Sequence, residues 1–545
     1  MGRCNRMCFE VRGRDMLARL GSIKTKSGII ETPVLLPVIN PAIQPISPKT
    51  MKKEFDCEAL ITNAYILNKQ IGEETAEKGI HKLLDFDGVV MTDSGAYQIL
   101  LYGKVDVNPA EIVHYQEKIS TDIATILDIP TSWHTTKDYA RHTVDETINR
   151  AKQLTGIKTR NDVLWVAPIQ GGQYYDLVAY SAKKVGKLPF QIHALGSPTT
   201  VMEQYHFDTL VDMILTAKMN MPKQRPLHLF GAGHPFMFAL AIALGCDMFD
   251  SAAYAIYAKK NRYMTEYGTS RLNELKYFPC SCLVCTKNTP KDIINMPQQE
   301  RQEALAKHNL YASFAELKRV KQNIIEGRLW EYLELRAHTH PALLQALKRL
   351  KKYENYIERH TMITKKSGLF FFSNLGLMRP EIIRYRKRLE ERYSPPKDAK
   401  ILMLLPQPSK RPFHKAREVK TLAKKIRHKF LEKNVAFHIC VYAAPYGVIP
   451  LELDEIYPLS QHEIATPLDL ETIDYVAEQI KNYIVTSTYK RVVLVKDIEV
   501  WKGKVSAACK YIKRKDLSIT VLGVKETLNE SVLNDIVETL QKSVI

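Results

Sequence analysis

Between residue 32 and about residue 255, short β-rich runs alternate with stretches of helical periodicity, and this alternation limits the chain more than any other feature. Strands are expected at Thr32–Asn40, Ala59–Leu67, Gly88–Thr92, Ile123–Leu127, Val163–Ile169, Phe190–Leu195, Pro226–Phe230 and Cys246–Phe249. Val144–Leu154 and Val201–Met219, lying between them, read as helices. Eight strands with interleaved helices build a parallel sheet, either a closed (β/α)8 barrel or a doubly wound open sheet. Five strands end in polar residues or glycine: Asp93 before Ser94 and Gly95, Asp128, Gln170 with Gly171 and Gly172, Gly196 with Ser197, and Asp250 with Ser251. In a barrel all carboxyl ends open on one mouth, so these endings converge on one polar pocket. That convergence favours the (β/α)8 TIM barrel.

The chain of 545 residues exceeds one core, and three segments are expected. A barrel unit spans 1–345 and carries an insertion at about 264–310. A basic helical segment follows over 346–398, and a second α/β domain over 399–545. That domain opens with the apolar strand Ile401–Leu405, continues with Arg491–Val495 and Leu517–Val521, and closes with a helix at Val532–Val544. Net charge is +19, and residues 346–430 alone hold 24 Lys or Arg against 7 Asp or Glu. A basic block beside a nearly neutral body suits a polyanion, above all nucleic acid, with a solvated basic face as the alternative. The longest apolar run, Phe236–Leu244, is roughly half of a membrane span. The N-terminus, with Arg3, Arg6, Arg12 and Arg14, lacks the apolar core of a signal peptide. A cytoplasmic protein without membrane contact is expected.

Of nine cysteines, Cys280, Cys282 and Cys285 cluster, and His308 follows. Three thiolates and an imidazole are the ligands of a closed tetrahedral Zn2+ site, one structural ion per chain. Scattered positions for the other six argue against a disulfide framework.

Asp93, in Met91-Thr-Asp-Ser-Gly-Ala-Tyr-Gln98, and Asp250, in Gly245-Cys-Asp-Met-Phe-Asp250, stand at the expected mouth. Two acids flanking a pocket divide the labour at an anomeric carbon, one attacking and the other moving protons. Singly, an Asp after a strand serves as readily to cap the next helix. Asp247 lies three residues before Asp250, and its side depends on where the strand breaks. Asp128, which only accepts hydrogen bonds when ionised, suits a ligand edge rich in N–H donors, such as a purine or 7-deazapurine. Gln170 offers an amide beside Gly171, where a ligand can approach the backbone, and Tyr97 offers a ring on which a base can stack. Lys259, Lys260 and Arg262, with Tyr257 and Tyr263, suit the phosphates of a reacting nucleotide, although a solvated loop has the same composition.

Residues 1 to about 345 resemble tRNA-guanine transglycosylases, the archaeal branch in particular. The resemblance rests on Thr92-Asp-Ser-Gly-Ala-Tyr-Gln98, Gln170-Gly-Gly172, His193-Ala-Leu-Gly-Ser197, Asp247-Met-Phe-Asp250 and Cys280-Ser-Cys-Leu-Val-Cys285. It implies a (β/α)8 barrel with a zinc-bearing insertion, and exchange of guanine at position 15 in the D-arm of tRNA for 7-cyano-7-deazaguanine, on the route to archaeosine. It further implies Asp250 as the nucleophile on ribose C1′ and Asp93 as the general acid/base, the opposite assignment remaining open. Asp128, Gln170 and the backbone from Ala194 to Gly196 would recognise the base, and a homodimer is the expected assembly. A C-terminal RNA-binding module of the PUA type, common in archaeal members, is not recognisable here, so a separate PUA-domain partner is expected.

Residues 399 to about 515 look similar to the central domain of archaeosine synthase, through Pro406, Arg411-Pro-Phe413 and Ala444-Pro-Tyr-Gly-Val-Ile-Pro450. That family's cysteine, lysine, tyrosine, serine and histidine are replaced by Gln407, Arg411, Phe413, Ala416 and Val419. The domain is therefore expected to position tRNA, with Arg411, Lys415 and Arg417 on phosphates, rather than to transfer lysine. A non-catalytic tRNA-binding subunit is the competing reading for the whole chain, and retention of both Asp93 and Asp250 weighs against it. Within the enzyme reading, 7-aminomethyl-7-deazaguanine or queuine at the wobble position is the alternative substrate.

Overall fold

The alternation folds as a closed barrel. A computed structural model describes residues 8–41, 43–96, 108–430, 436–524 and 530–544. A three-stranded antiparallel sheet comes first, made of β1 (Phe9–Asp15), β2 (Ala18–Lys24) and β3 (Ile29–Thr32). The barrel strands follow: β4 (Val34–Ile39), β5 (Ala59–Asn63), β6 (Val89–Asp93), β7 (Ile123–Thr125), β8 (Leu164–Ile169), β9 (Ile192–Leu195), β10 (Leu227–Leu229) and β11 (Met248–Ser251). They are parallel, and β11 pairs with β4 to close the ring. The strands are short and mostly apolar because the interior covers one face and helices cover the other.

Each run expected as a strand overlaps one barrel strand, and two of the runs also take in part of a neighbouring element. The run 59–67 breaks after Asn63, whose Oδ1 accepts the Ile66 N–H at 2.9 Å and starts a helix over Ala64–Gln70. An N-cap thus overrides the β-rich composition. The run 32–40 divides at Pro33, with Thr32 ending β3 and Val34 opening β4. The sheet β1–β3, which the periodicity does not announce, covers the amino-terminal end of the barrel. Phe9, Ile23 and Ile30 pack there with Leu36, Ala59 and Met248.

Asp247 precedes β11 at that same end. It is fully buried, accepts from Arg19 Nε at 2.9 Å and from the Leu227 N–H at 2.8 Å, and pairs a second time with Arg19 Nη2. Asp247 therefore ties the N-terminal sheet to the barrel, and Asp250, at the other end of one short strand, is left for the mouth.

After the barrel, β12 (Arg262–Thr265) and β13 (Gly268–Arg271) form a hairpin beside the helix Gln298–Glu326. The first compact unit ends at residue 353 and the second covers 354–545, so the basic stretch 346–398 is divided between them. Arg349 and Tyr353 bind Asp212 in the first unit, whereas Arg384 binds Glu358 in the second.

In the second unit, β14 (Leu369–Phe371) is followed by β15 (Ala399–Pro406), β16 (Ala436–Ala443), β17 (Gly447–Pro450), β18 (His462–Ile464), β19 (Arg491–Asp497) and β20 (Ser518–Val524). The sheet order is β17-β16-β15-β19-β20, with only β17 antiparallel. The expected strands at 401–405, 491–495 and 517–521 are β15, β19 and β20. Among the described residues no helix is long and apolar enough to cross a membrane.

Candidate active site and metal centre

The carboxyl ends of the barrel strands surround a cavity of about 1470 Å3. Asp93, Asp128, Gln170, Gly196 and Asp250 line it, and Lys259, Lys260 and Arg262 reach it from an exposed rim. Two of the expected residues do not line it: Ala194 is fully buried in the barrel interior, two positions short of the mouth on β9, and Gly171 packs against the following helix. Tyr97 lies outside the described residues.

Three carboxylates, from the ends of β6 and β11 and from the loop after β7, have different partners. Asp93 Oδ2 accepts from Asn63 Nδ2 at 3.1 Å and from the Gly95 N–H at 3.3 Å. Burial, with the nearby charges of Asp128 and Asp250, pushes Asp93 up to about 7, a value at which a carboxyl is able to give or to take a proton near neutrality. Asp128 is buried and raised to about 6; burial is the cause, and the bond from Gln170 Nε2 works against it. Asp250 Oδ1 accepts from His228 Nε2 at 2.8 Å and from the Gly231 N–H at 2.9 Å.

Gln170 is held in one orientation. Its Oε1 accepts from the Thr131 N–H at 3.0 Å and the Ser197 hydroxyl at 3.1 Å, while its Nε2 donates to Asp128. A Cβ at residue 196 would lie 2.2 Å from Gln170 Nε2, so only glycine leaves room for this amide.

Asn63 and His228 do not emerge from the sequence as site residues. Asn63 spans two elements, capping its helix with Oδ1 and holding Asp93 with Nδ2. His228 sits within the apolar triplet Leu227-His-Leu229, where a lone polar residue is the only signal.

The metal cluster forms beside the hairpin β12–β13. One ligand atom from each of Cys280, Cys282, Cys285 and His308 lies within 4.8 Å of the others. His308 Nε2 sits 2.8 Å from the Met264 carbonyl, which leaves Nδ1 facing the thiols, 3.5 Å from Cys282 Sγ and 3.4 Å from Cys285 Sγ. Zinc bonds of about 2.3 Å to sulfur and 2.0 Å to nitrogen put tetrahedral N and S ligands about 3.5 Å apart, so the four residues fit such an ion. The Tyr263 ring stacks on His308 at 3.6 Å and fixes the imidazole plane.

Comparison with known proteins identifies the family. Residues 15–342 match the family described as TGT, queuine tRNA-ribosyltransferase. The tRNA-guanine(15) transglycosylase of Methanocaldococcus jannaschii is 42% identical over 488 residues, covering 88% of this chain and 71% of that protein. The chain belongs to the tRNA-guanine transglycosylase family. Its relative of the same description from Saccharolobus solfataricus is 42% identical over 495 residues, covering 89% of this chain and 96% of that one. In Sulfolobus acidocaldarius the corresponding protein is 38% identical over 496 residues. Residues 382–540 match a domain of unknown function, DUF5591. The transglycosylase match thus contains the three carboxylates and the Cys3His cluster, and ends before the second α/β sheet.

Proposed function

We propose that this chain is a tRNA-guanine transglycosylase that exchanges guanine 15 in the D-arm of archaeal tRNA for 7-cyano-7-deazaguanine. The observation that carries the reading is the meeting of Asp93, Asp128 and Asp250 in one cavity large enough for a base and its ribose. Family membership and the printed names of the relatives support it.

In this reading Asp250 attacks ribose C1′ as the C1′–N9 bond breaks, and the departing guanine takes the electron pair and receives a proton from Asp93. The incoming base then gives its N9 proton to Asp93, N9 bonds C1′, and the ester to Asp250 opens. One N-glycosidic bond replaces another, so no energy-supplying cofactor is needed. Asp128 accepts from the base's N–H edge, and Gln170 and Gly196 shape the wall beside it. The Cys3His cluster would hold a Zn2+ whose role is to fix the hairpin β12–β13 against the long helix 298–326.

Lys259, Lys260 and Arg262 meet phosphates flanking the reacting nucleotide. In the second unit, Arg411 and Lys415 are already engaged: Arg411 Nε donates to His462 Nε2 at 3.1 Å and Lys415 Nζ pairs with Glu455 at 2.7 Å. The expected phosphate contacts are therefore reassigned to the helix Arg417–Phe430. Its buried face holds Val419, Leu422, Ile426 and Phe430, whereas Arg417, Lys420, Lys424 and Arg427 are exposed without an acidic partner among the described residues. Like charges three and four residues apart on a helix repel, and a polyanion relieves that repulsion. The reading also includes a cytoplasmic homodimer and a separate PUA-domain partner. Sedimentation of the purified chain tests the first, and capture of a PUA-domain protein from native extract the second.

Incorporation of 7-cyano-7-deazaguanine into unmodified tRNA transcript, with release of radiolabelled guanine, tests the activity directly. Wild-type incorporation that is lost in Asp250→Ala and Asp93→Ala is the expected result. Tight tRNA binding without any exchange would instead make the chain a binding subunit.

A further inference from the structure

We propose that His228 is a positioning residue that selects which oxygen of Asp250 attacks the ribose. The inference rests on the transglycosylase reading and specifies its central atom. His228 lies in β10, fully buried, in register with Met248 of β11, two residues before Asp250. Its Nε2 is 2.8 Å from Asp250 Oδ1, and the Gly231 N–H reaches the same oxygen at 2.9 Å. No donor among the described residues reaches Oδ2. His228 Nδ1 is buried and has no hydrogen-bond partner among the described residues. A proton on Nδ1 would therefore be an N–H sealed away without an acceptor, so the ring carries its proton on Nε2 and donates it to Oδ1.

Two donors on one oxygen fix the carboxyl plane and draw charge toward Oδ1. Oδ2 remains free, and it is the oxygen that bonds C1′ as the bond to N9 breaks. In the ester, Oδ1 is the carbonyl oxygen and keeps both donors. When the incoming base displaces Oδ2, the electron pair of the C1′–Oδ2 bond returns to the carboxylate, and His228 and Gly231 stabilise the charge that reappears. His228 thereby acts through Asp250 in both halves of the exchange, touching neither base.

The test separates a donor from a structural filler. The amide nitrogen of glutamine reaches about as far as imidazole Nε2, and that of asparagine only about as far as Nδ1. His228→Asn and His228→Ala should lower kcat about 10- to 100-fold, the worth of one hydrogen bond to a charged group, while leaving KM for tRNA near the wild-type value. His228→Gln should recover most of the loss. An equal loss in His228→Gln and His228→Asn, or wild-type kcat in His228→Ala, would overturn the proposal. A second measurement needs no active variant: the 15N shifts of His228 in the wild-type protein, assigned by their absence in His228→Gln, should show a protonated Nε2 and a bare Nδ1. The opposite tautomer, or an imidazolium, also overturns it. Absence of exchange by the wild-type enzyme would instead sink the transglycosylase reading while leaving the tautomer assignment standing.

Discussion

Because Asp93 sits near 7, the two halves of the reaction should depend on pH in opposite directions. In the proposed mechanism guanine departure needs Asp93 protonated, so its rate falls as pH rises through that value. Insertion needs Asp93 ionised, so its rate falls as pH drops. Each pH unit beyond the pKa changes the scarce form tenfold, so departure at about pH 9 should be about 100-fold slower than at about pH 6. The two limbs should not coincide. Asp250 is one of the charges that raise Asp93, and once it is esterified that charge is gone. The insertion limb therefore lies below the departure limb. Single-turnover mixing with tRNA, read as covalent adduct on a denaturing gel, gives the first half. Chasing the adduct with 7-cyano-7-deazaguanine gives the second. Halves that rise and fall together, or a departure rate flat between about pH 6 and about pH 9, would refute Asp93 as the shared proton carrier.

Cys282→Ser should lose the bound metal and lower Tm, with metal content by atomic absorption as the readout; full metal retention would refute the ligand set. At the amino-terminal end of the barrel, His81 Nε2 lies 3.1 Å from Asp122. The carboxylate raises His81, while for Asp122 burial is outweighed by His81, Ser27 and the Val90 N–H, which hold it low. The stability from His81 is then fully present below its unfolded pKa of about 6.5 and is lost as pH rises through the higher folded value. Melting curves should accordingly show a larger Tm penalty for His81→Gln at about pH 6 than at about pH 9, and an equal penalty would count against the pair. Glutamate at Lys420, Lys424 and Arg427 together should weaken tRNA binding and reduce the slope of log affinity against log salt by roughly two to three units, whereas an unchanged slope would return that helix to solvent.

The barrel was legible because its signal is local: each strand is a short, mostly apolar run, five of the runs end in polar residues or glycine, and Asp93, Asp128, Gln170, Gly196 and Asp250 all reach one cavity. The Cys3His cluster was legible for the same reason, with three of its ligands lying within six residues. Asn63 was not, because the apolar run 59–67 conceals the point where a cap replaces the next strand residue. His228 shows its role only when β10 and β11 lie side by side, 22 residues apart in sequence. Arg411 and Lys415 looked free in sequence because their partners His462 and Glu455 come 51 and 40 residues later. Long-range pairing, and not residue type, decided each of these.

The pair between Arg19 and Asp247 joins residues 228 positions apart. During synthesis Arg19 leaves the ribosome early, and its partner is made only when seven of the eight barrel strands already exist. Until then the guanidinium has no carboxylate to enter the interior with, and the seam between β4 and β11 cannot close. The last strand to be made therefore brings both the latch that seals one end of the barrel and the carboxylate that opens onto the other. A chain arrested short of residue 247 lacks the seal and, in the proposed mechanism, the attacking group as well.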